Sequence, residues 1–128
     1  FCLIAGGVGI TPTMSILRTF ADRDDRRPIV AMVASNNWDD VTFREELDQI
    51  ARRENVTVVH TLSNPPEDWR GERGRIDAAM LRRYLPTGSH RWQYFICGPD
   101  PMMDAMEHAL LELDVPGGRI HTERFGWV

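Results

Sequence analysis

The chain has 128 residues, 42% of them hydrophobic, enough to bury one sizeable core and too few for two domains of ordinary size. A formal net charge of −4 and a pI near 5.5 argue against the basic face that nucleic-acid binding requires. All 15 basic residues are arginine, which excludes a phosphate-loop lysine, a Schiff-base lysine and a lysine general base.

The apolar run Cys2–Ala5 predicts a short buried strand, and its immediate start is expected for a piece of a longer protein whose upstream part carries a second domain. The glycine-rich turn Gly6-Gly7-Val8-Gly9 follows, and Thr11 and Pro12 suit a helix cap and a first helical residue. Met14, Leu17, Phe20 and Ala21 recur at helical spacing until the charged cluster Asp22–Arg27 and Pro28 end the helix. Ile29–Ala34 is a continuous apolar run of strand length, the pattern of a strand covered on both faces. Asp39 or Asp40 is placed to cap a second helix with Phe43, Leu47 and Ile50 on one face, and a third strand is expected over Val56–Leu62.

Ser63–Gly74 is rich in proline, glycine and charge and reads as a loop. Asp77 then caps a short helix through Met80, Leu81 and Tyr84, stopped by Pro86. A fourth strand is expected over Gln93–Cys97. A helix opened by Gly98-Pro99 carries Met102, Met106, Leu110 and Leu113, and a fifth strand runs over Arg119–Phe125. Five strands alternating with four helices predict one α/β domain over residues 1–128: a doubly wound parallel sheet with helices on both faces. Ligands of such sheets bind beyond the carboxyl ends of the strands, where the winding reverses.

The turn GGVGITP removes side chains where a backbone must approach a ligand and leaves free amides at a helix start, which suits a phosphate group. Gly7 and Gly9 supply the first two glycines of a dinucleotide fingerprint, but position 12 is proline, so a tight turn of purely structural value stays open at this point. Cys97-Gly98-Pro99 brings a second helix start to the same sheet edge. Its thiol reads equally as a small buried hydrophobe.

Four segments in this order, Gly6–Pro12, Phe43–Leu47, Cys97–Met102 and Glu123–Phe125, make the chain resemble the pyridine-nucleotide domain of the ferredoxin–NADP reductase superfamily, in its ferric-reductase-like and oxygenase-reductase flavour. The resemblance covers essentially the whole chain. It implies an NADH- or NADPH-binding domain that delivers hydride to FAD on a neighbouring domain of the same parent chain, for onward transfer to haem, iron–sulfur or ferric acceptors. By the resemblance, Gly6, Gly7, Val8, Gly9, Ile10, Thr11 and Pro12 meet the pyrophosphate and nicotinamide ribose. Cys97, Gly98, Pro99 and Met102 then lie beside the nicotinamide, and Glu123 and Phe125 face the flavin. Relatives that end at the aromatic make the tail Gly126-Trp127-Val128 a departure, so either Phe125 or Trp127 covers the flavin.

Two rival classes are weighed against this reading. A non-catalytic receiver- or flavodoxin-like module of the receiver type needs an acid ending the first strand and a late lysine, where this chain has glycines and no lysine. A methyltransferase needs an acid ending the second strand, where Ser35-Asn36-Asn37 stands. His60, His90, His108 and His121 lack ligand spacing, so no metal is expected, and no serine sits in a hydrolase elbow. Two cysteines form no disulfide framework, which fits a reducing, cytoplasmic setting, and no run approaches the ~20 apolar residues of a membrane span.

Ser35, Asn36 and Asn37 offer neutral partners to adenosine ribose hydroxyls, and NADH is favoured over NADPH. By the resemblance, NADP-using relatives hold the 2′-phosphate with a serine and a basic residue after the third strand, but here the chain reads Thr61-Leu62-Ser63-Asn64 and the familiar serine–arginine pair is absent, while Asp39 and Asp40 would repel a second phosphate unless they turn outward. Arg44 is the competing consideration, since it could swing toward that phosphate.

Overall fold

The computed structural model describes residues 1–124. In chain order the elements are β1 (Cys2–Gly6), α1 (Ile10–Asp22), β2 (Ile29–Ser35), α2 (Arg44–Ile50), β3 (Val56–Leu62) and β4 (Glu72–Arg73). They continue as α3 (Ala78–Tyr84), β5 (Tyr94–Gly98), α4 (Asp100–Glu112) and β6 (Ile120–Arg124). The strands pair in parallel in the order β4-β3-β2-β1-β5-β6.

The alternation of side chains along each strand divides the core in two. Cys2, Ile4, Val30, Met32, Tyr94 and Ile96 face the helices α3 and α4, where Leu81, Met103 and Leu110 are fully buried. Leu3, Ala5, Ile29, Ala31 and Val33 face α1 and α2, where Met14, Leu17 and Leu47 are buried. Each such aliphatic side chain contributes about 1.5–3 kcal/mol on burial. Because the central strands are covered on both faces, they show no polar alternation.

Among the described residues the sheet has six strands where five were expected. The extra strand, Glu72–Arg73, lies inside the segment read as a loop, opposite Thr61 and Leu62 of β3. Side chains brace it more than its two ladder positions do. Trp69 Nε1 donates to the Glu72 carbonyl at 2.9 Å, Arg73 Nη2 donates to the Trp69 carbonyl at 2.6 Å, and Arg83 grips the Glu72 carboxylate at 2.7 and 2.8 Å. Trp69 also packs on Trp38 with ring centroids 5.2 Å apart.

Two expected helix caps are corrected. Asp39 and Asp40 lie in a 3₁₀ turn over Trp38–Asp40, and α2 starts only at Arg44, after Phe43 in the left-handed region at φ 61°. Asn37 Nδ2 donates to Asp40 Oδ2 at 3.0 Å, and burial of Val41 requires an extended residue between the aspartates and the helix. Nor does Thr11 cap α1, which begins at Ile10 directly after Gly9 and has no side-chain cap. Pro12 is accommodated in its first turn because an N–H there has no intrahelical partner anyway.

Asp77 caps α3 as expected, its Oδ1 accepting from the Met80 amide at 2.8 Å. Asp77→Ala leaves that amide without its partner and is expected to lower unfolding stability by about 1 kcal/mol, with Asp77→Ser recovering most of the loss. Denaturant midpoints of the three proteins measure the difference.

Candidate functional site

The order of winding reverses at β1. The crossovers through α1 and α2 build the sheet away on one side, and β5 and β6 lie on the other, so the carboxyl ends of β1 and β5 flank a crevice. Their register places Ala5 beside Cys97, so Gly6 and Gly98 leave the sheet side by side.

The turn Gly7–Gly9 crosses this edge. Gly7 adopts φ +57°, which favours glycine, and a Cβ on Gly9 would stand 2.0 Å from the Cys97 carbonyl oxygen. No side chain larger than hydrogen fits there. The turn runs directly into α1, which has no side-chain cap; the Ile10 amide turns back to the Gly7 carbonyl, so an anion at this helix start meets the remaining amides of the turn and the positive end of the helix dipole.

A cleft of about 450 Å³ opens from the turn along the α4 side of the sheet edge. Gly6 and Gly7 form one end, and Ser35 and Asn36 come from the exit of β2. Ser63 comes from the exit of β3, Arg75 and Ile76 from the segment after β4, and Pro99 and Met102 from the start of α4. Met102 lies over the paired strand ends, its Sδ 2.5 Å from where a Gly6 Cβ would stand. A separate hollow of about 170 Å³ lies on the α1 side of β5 and β6, lined by Pro12, Thr13, Cys97 and Glu123 among others. A broader depression of about 680 Å³ along α2 is open to solvent and lies away from the glycine turn.

The residues singled out by sequence therefore fall into groups. Gly6, Gly7, Ser35, Asn36, Pro99 and Met102 line the cleft, whereas Pro12, Cys97 and Glu123 line the hollow behind it. Gly9, Ile10 and Gly98 are buried in the junction between them, Val8 is 68% exposed at the crest of the turn, and Thr11 is exposed. Asn37 lines neither space; its Oδ1 accepts from Asn64 Nδ2 at 3.2 Å. Phe125 and Trp127 lie outside the described residues.

The cleft also contains Ser63, Arg75 and Ile76, which sequence reasoning did not assign to the site. No local pattern marks Arg75, which follows a two-residue strand visible only in three dimensions. Arg44 has a different place: its guanidinium stacks on Trp38 at 4.9 Å and Nη1 donates to the Trp38 carbonyl at 3.1 Å, outside the cleft lining. Asp39 and Asp40 are exposed and line no part of the cleft.

Cys97 stands beside Glu123 in the register of β5 and β6. Burial, followed by the neighbouring Glu123 carboxylate, pushes its thiol pKa up to about 11. Burial pushes the Cys2 thiol up to about 12. Both cysteines are free, and Cys2 faces Tyr94 three positions from Cys97, too far along the strand for a disulfide.

Both thiols stay neutral at pH 7–8 and are largely enclosed. Alkylation by iodoacetamide under native conditions is therefore expected to be slow, and denaturant should release two rapidly reacting thiols per chain. Fast native labelling of Cys97, or a native mass two hydrogens short of the dithiol, contradicts this assignment.

The sequence profile of the oxidoreductase NAD-binding domain matches residues 3–108. Over 126 residues the chain is 32% identical to the nitrate reductase [NADPH] of Emericella nidulans, covering 94% of this chain and 14% of that protein. It is 36% identical over 114 residues to NADH-cytochrome b5 reductase 1 of Ajellomyces capsulatus, covering 84% of this chain and 37% of the relative. The chain thus spans well under half the length of these curated relatives. Among solved structures, the cytochrome b5 reductase domain of Ulva prolifera nitrate reductase superposes with a TM-score of 0.86 at 26% identity, covering 95% of this chain and 47% of that one. The flavohem-like FAD/NAD-binding domain of Vibrio cholerae nitric oxide dioxygenase also gives 0.86, at 28% identity, covering 98% and 51%. With its parallel sheet, its glycine turn clasped to β5 and a family profile matched over most of its length, the chain belongs to the oxidoreductase NAD-binding domains, in their ferredoxin–NADP reductase-like form.

Proposed function

We propose that this domain binds NAD(P)H and presents it to FAD held by another domain of a longer parent chain, which passes electrons on to a haem, iron–sulfur or ferric acceptor in the cytoplasm or at the cytoplasmic face of a membrane. The observation that carries the reading is the glycine turn, whose Gly9 backbone lies against Cys97 where a Cβ would meet the carbonyl at 2.0 Å. That contact sets an uncapped helix start between the cleft and the hollow, as a dinucleotide spanning both would require. The matched relatives include NADH- and NADPH-dependent reductases, which supports the assignment of cofactor class.

The residues divide the work by position. The amides of the Gly7–Gly9 turn and of the start of α1 take the pyrophosphate. Ser35 and Asn36 offer a hydroxyl and an amide to the adenosine ribose, at the cleft end nearest β2. Cys97 and Pro12 border the nicotinamide end, and Glu123 lines the same hollow on the side assigned to the flavin; Phe125 and Trp127, the candidates to cover it, lie outside the described residues. The dihydronicotinamide supplies two electrons as a hydride, so the protein's contribution is binding and orientation rather than acid–base chemistry. No described helix is long and apolar enough to cross a membrane.

Purified alone, the 128-residue chain is expected to be colourless, to bind NADH, and to oxidise it only at the background rate. Gly9→Ala should weaken NADH binding by about tenfold or more, equivalent to about 1.4 kcal/mol, with circular dichroism confirming that the chain is still folded. Stoichiometric flavin retained by these residues, turnover without an added flavoprotein, or unaltered binding by a folded Gly9→Ala protein would each refute the proposal.

A further inference from the structure

Of the six methionines in the chain, Met14, Met32, Met80, Met103 and Met106 are between 0 and 2% exposed. Met102 is the exception: it is half-buried and lines the cleft at the start of α4. Met106 also borders the cleft, but at 1% exposure it belongs to the core that Met103 and Leu110 share. Both cysteines are buried, and burial, joined at Cys97 by the Glu123 carboxylate, holds each thiol protonated, so neither offers a thiolate to an oxidant. Oxidisable sulfur within reach of solvent is therefore concentrated in one side chain.

Two backbones press on that sulfur. The register of β1 and β5 brings Gly6 and Gly98 side by side, and the end of the Met102 side chain fills the space that their missing Cβ atoms leave. A Cβ on Gly6 would lie 2.5 Å from Met102 Sδ, and one on Gly98 would lie 2.6 Å from its Cε and 3.2 Å from its Sδ. The helix fixes the other end of the side chain, since the Met103 amide donates to the Pro99 carbonyl at 3.0 Å and Met103 itself is fully buried. The glycine side of the sulfur is thus closed to an added atom. An oxygen on Met102 Sδ has room on the cleft side, which Gly7, Ser35 and Pro99 also line.

We propose that Met102 is an oxidant-sensitive modification site, which takes one oxygen atom from hydrogen peroxide and thereby closes the cleft to the dinucleotide. The thioether sulfur attacks one peroxide oxygen and gives up two electrons, the O–O bond breaks as the S–O bond of the sulfoxide forms, and the second oxygen leaves as water with the proton of the first. A flexible apolar side chain becomes a polar, chiral one. Its new oxygen takes up room beside the glycine turn, where a ligand has the least side-chain bulk to displace. The effect on binding rests on the dinucleotide reading given above, whereas the oxidation itself does not. In the function proposed, two-electron reduction of dioxygen at an idle flavin is a local source of the peroxide, so the modification slows a reductase that lacks its acceptor.

The test is peptide mass mapping and NAD⁺ titration of the 128-residue chain before and after hydrogen peroxide, with fragment ions that separate Met102 from Met103. Expected is one added oxygen on Met102 at a rate at least about tenfold above that of any other methionine in the native protein, and similar rates for all six in denaturant. Saturating NAD⁺ should slow the reaction at Met102. The singly oxidised protein should bind NAD⁺ about tenfold or more weakly, and methionine sulfoxide reductases with a thiol reductant should restore its affinity. Met102→Leu is read against itself: whatever its starting affinity, peroxide should change it by less than about twofold. Comparable native rates at all six methionines, or oxidation of Met103 or Met106 first, overturns the site. Unchanged NAD⁺ affinity after oxidation at Met102, or an equal loss in peroxide-treated Met102→Leu, overturns the closing of the cleft. Failure of the untreated protein to bind NAD⁺ removes the dinucleotide reading and the effect on binding with it, and the mass map, read without ligand, tells that failure apart from failure of the site.

Discussion

The approach of the Gly9 backbone to the Cys97 carbonyl is the constraint on which the rest of the site depends. A hydrogen bond could be weakened by degrees, but a Cβ placed 2.0 Å from an oxygen cannot be tolerated without moving one of the two segments. The contact fastens the turn after β1 to the end of β5, the strand beside it in the sheet but far from it in sequence. Three features follow. The first turn of α1 starts at the crevice, α4 starts alongside it, and the free space at the sheet edge is divided into a cleft on the α4 side and a hollow on the α1 side. A ligand reaching both must cross the glycine turn, where side-chain bulk is least.

Electrostatics then act within that steric frame. The acidic surplus is distributed so that the cleft is spared: Asp24 and Asp25 pair with arginines at the far end of α1, Glu46 with Arg18 across α1 and α2, and Glu72 with Arg83 on the outer side of β4. Hydrogen bonds from those arginines hold the pKa values of all four carboxyls below their ordinary range, that of Asp25 at about 2. Exposed pairs of this kind contribute little to stability, so their consequence here is geometric. Paired charge is held away from the crevice, and the lining of the cleft is neutral apart from Arg75.

What could be read from sequence follows from where the determining forces lie. β1, β2 and β5 were legible because strands buried on both faces are nearly continuous apolar runs, β3 because it is rich in β-branched residues, and α3 because its cap lies next to the segment itself. The glycine turn was legible because it combines tight turning with close approach in one short stretch. β4 was not, since two residues carry no periodicity and are held by Trp69, Arg73 and Arg83 from outside the strand. The caps assigned to Thr11, Asp39 and Asp40 failed for a related reason: each is a good local candidate, but close packing at Gly9 and burial of Val41 set where the helices begin. Of the cleft lining, Gly6, Gly7, Ser35, Asn36, Pro99 and Met102 were singled out from single turns of the sequence, and the wall assembled from β3 and the segment after β4 was not.

The division of the sheet edge also bears on the state of Cys97. A thiolate beside an oxidised nicotinamide would be a nucleophile next to an electron-poor ring, and it would compete with hydride for the same carbon. Here burial and the adjacent Glu123 carboxylate both disfavour the charged sulfur, and with a pKa of about 11 it is neutral throughout the physiological range. Glu123, beside Cys97 in the register of β5 and β6, adds to the burial that disfavours the charged sulfur, and it lines the same hollow. A neutral, polarisable side chain at that position can pack against a planar ring without reacting with it. In the function proposed, that is the property the side chain beside the reacting carbon needs.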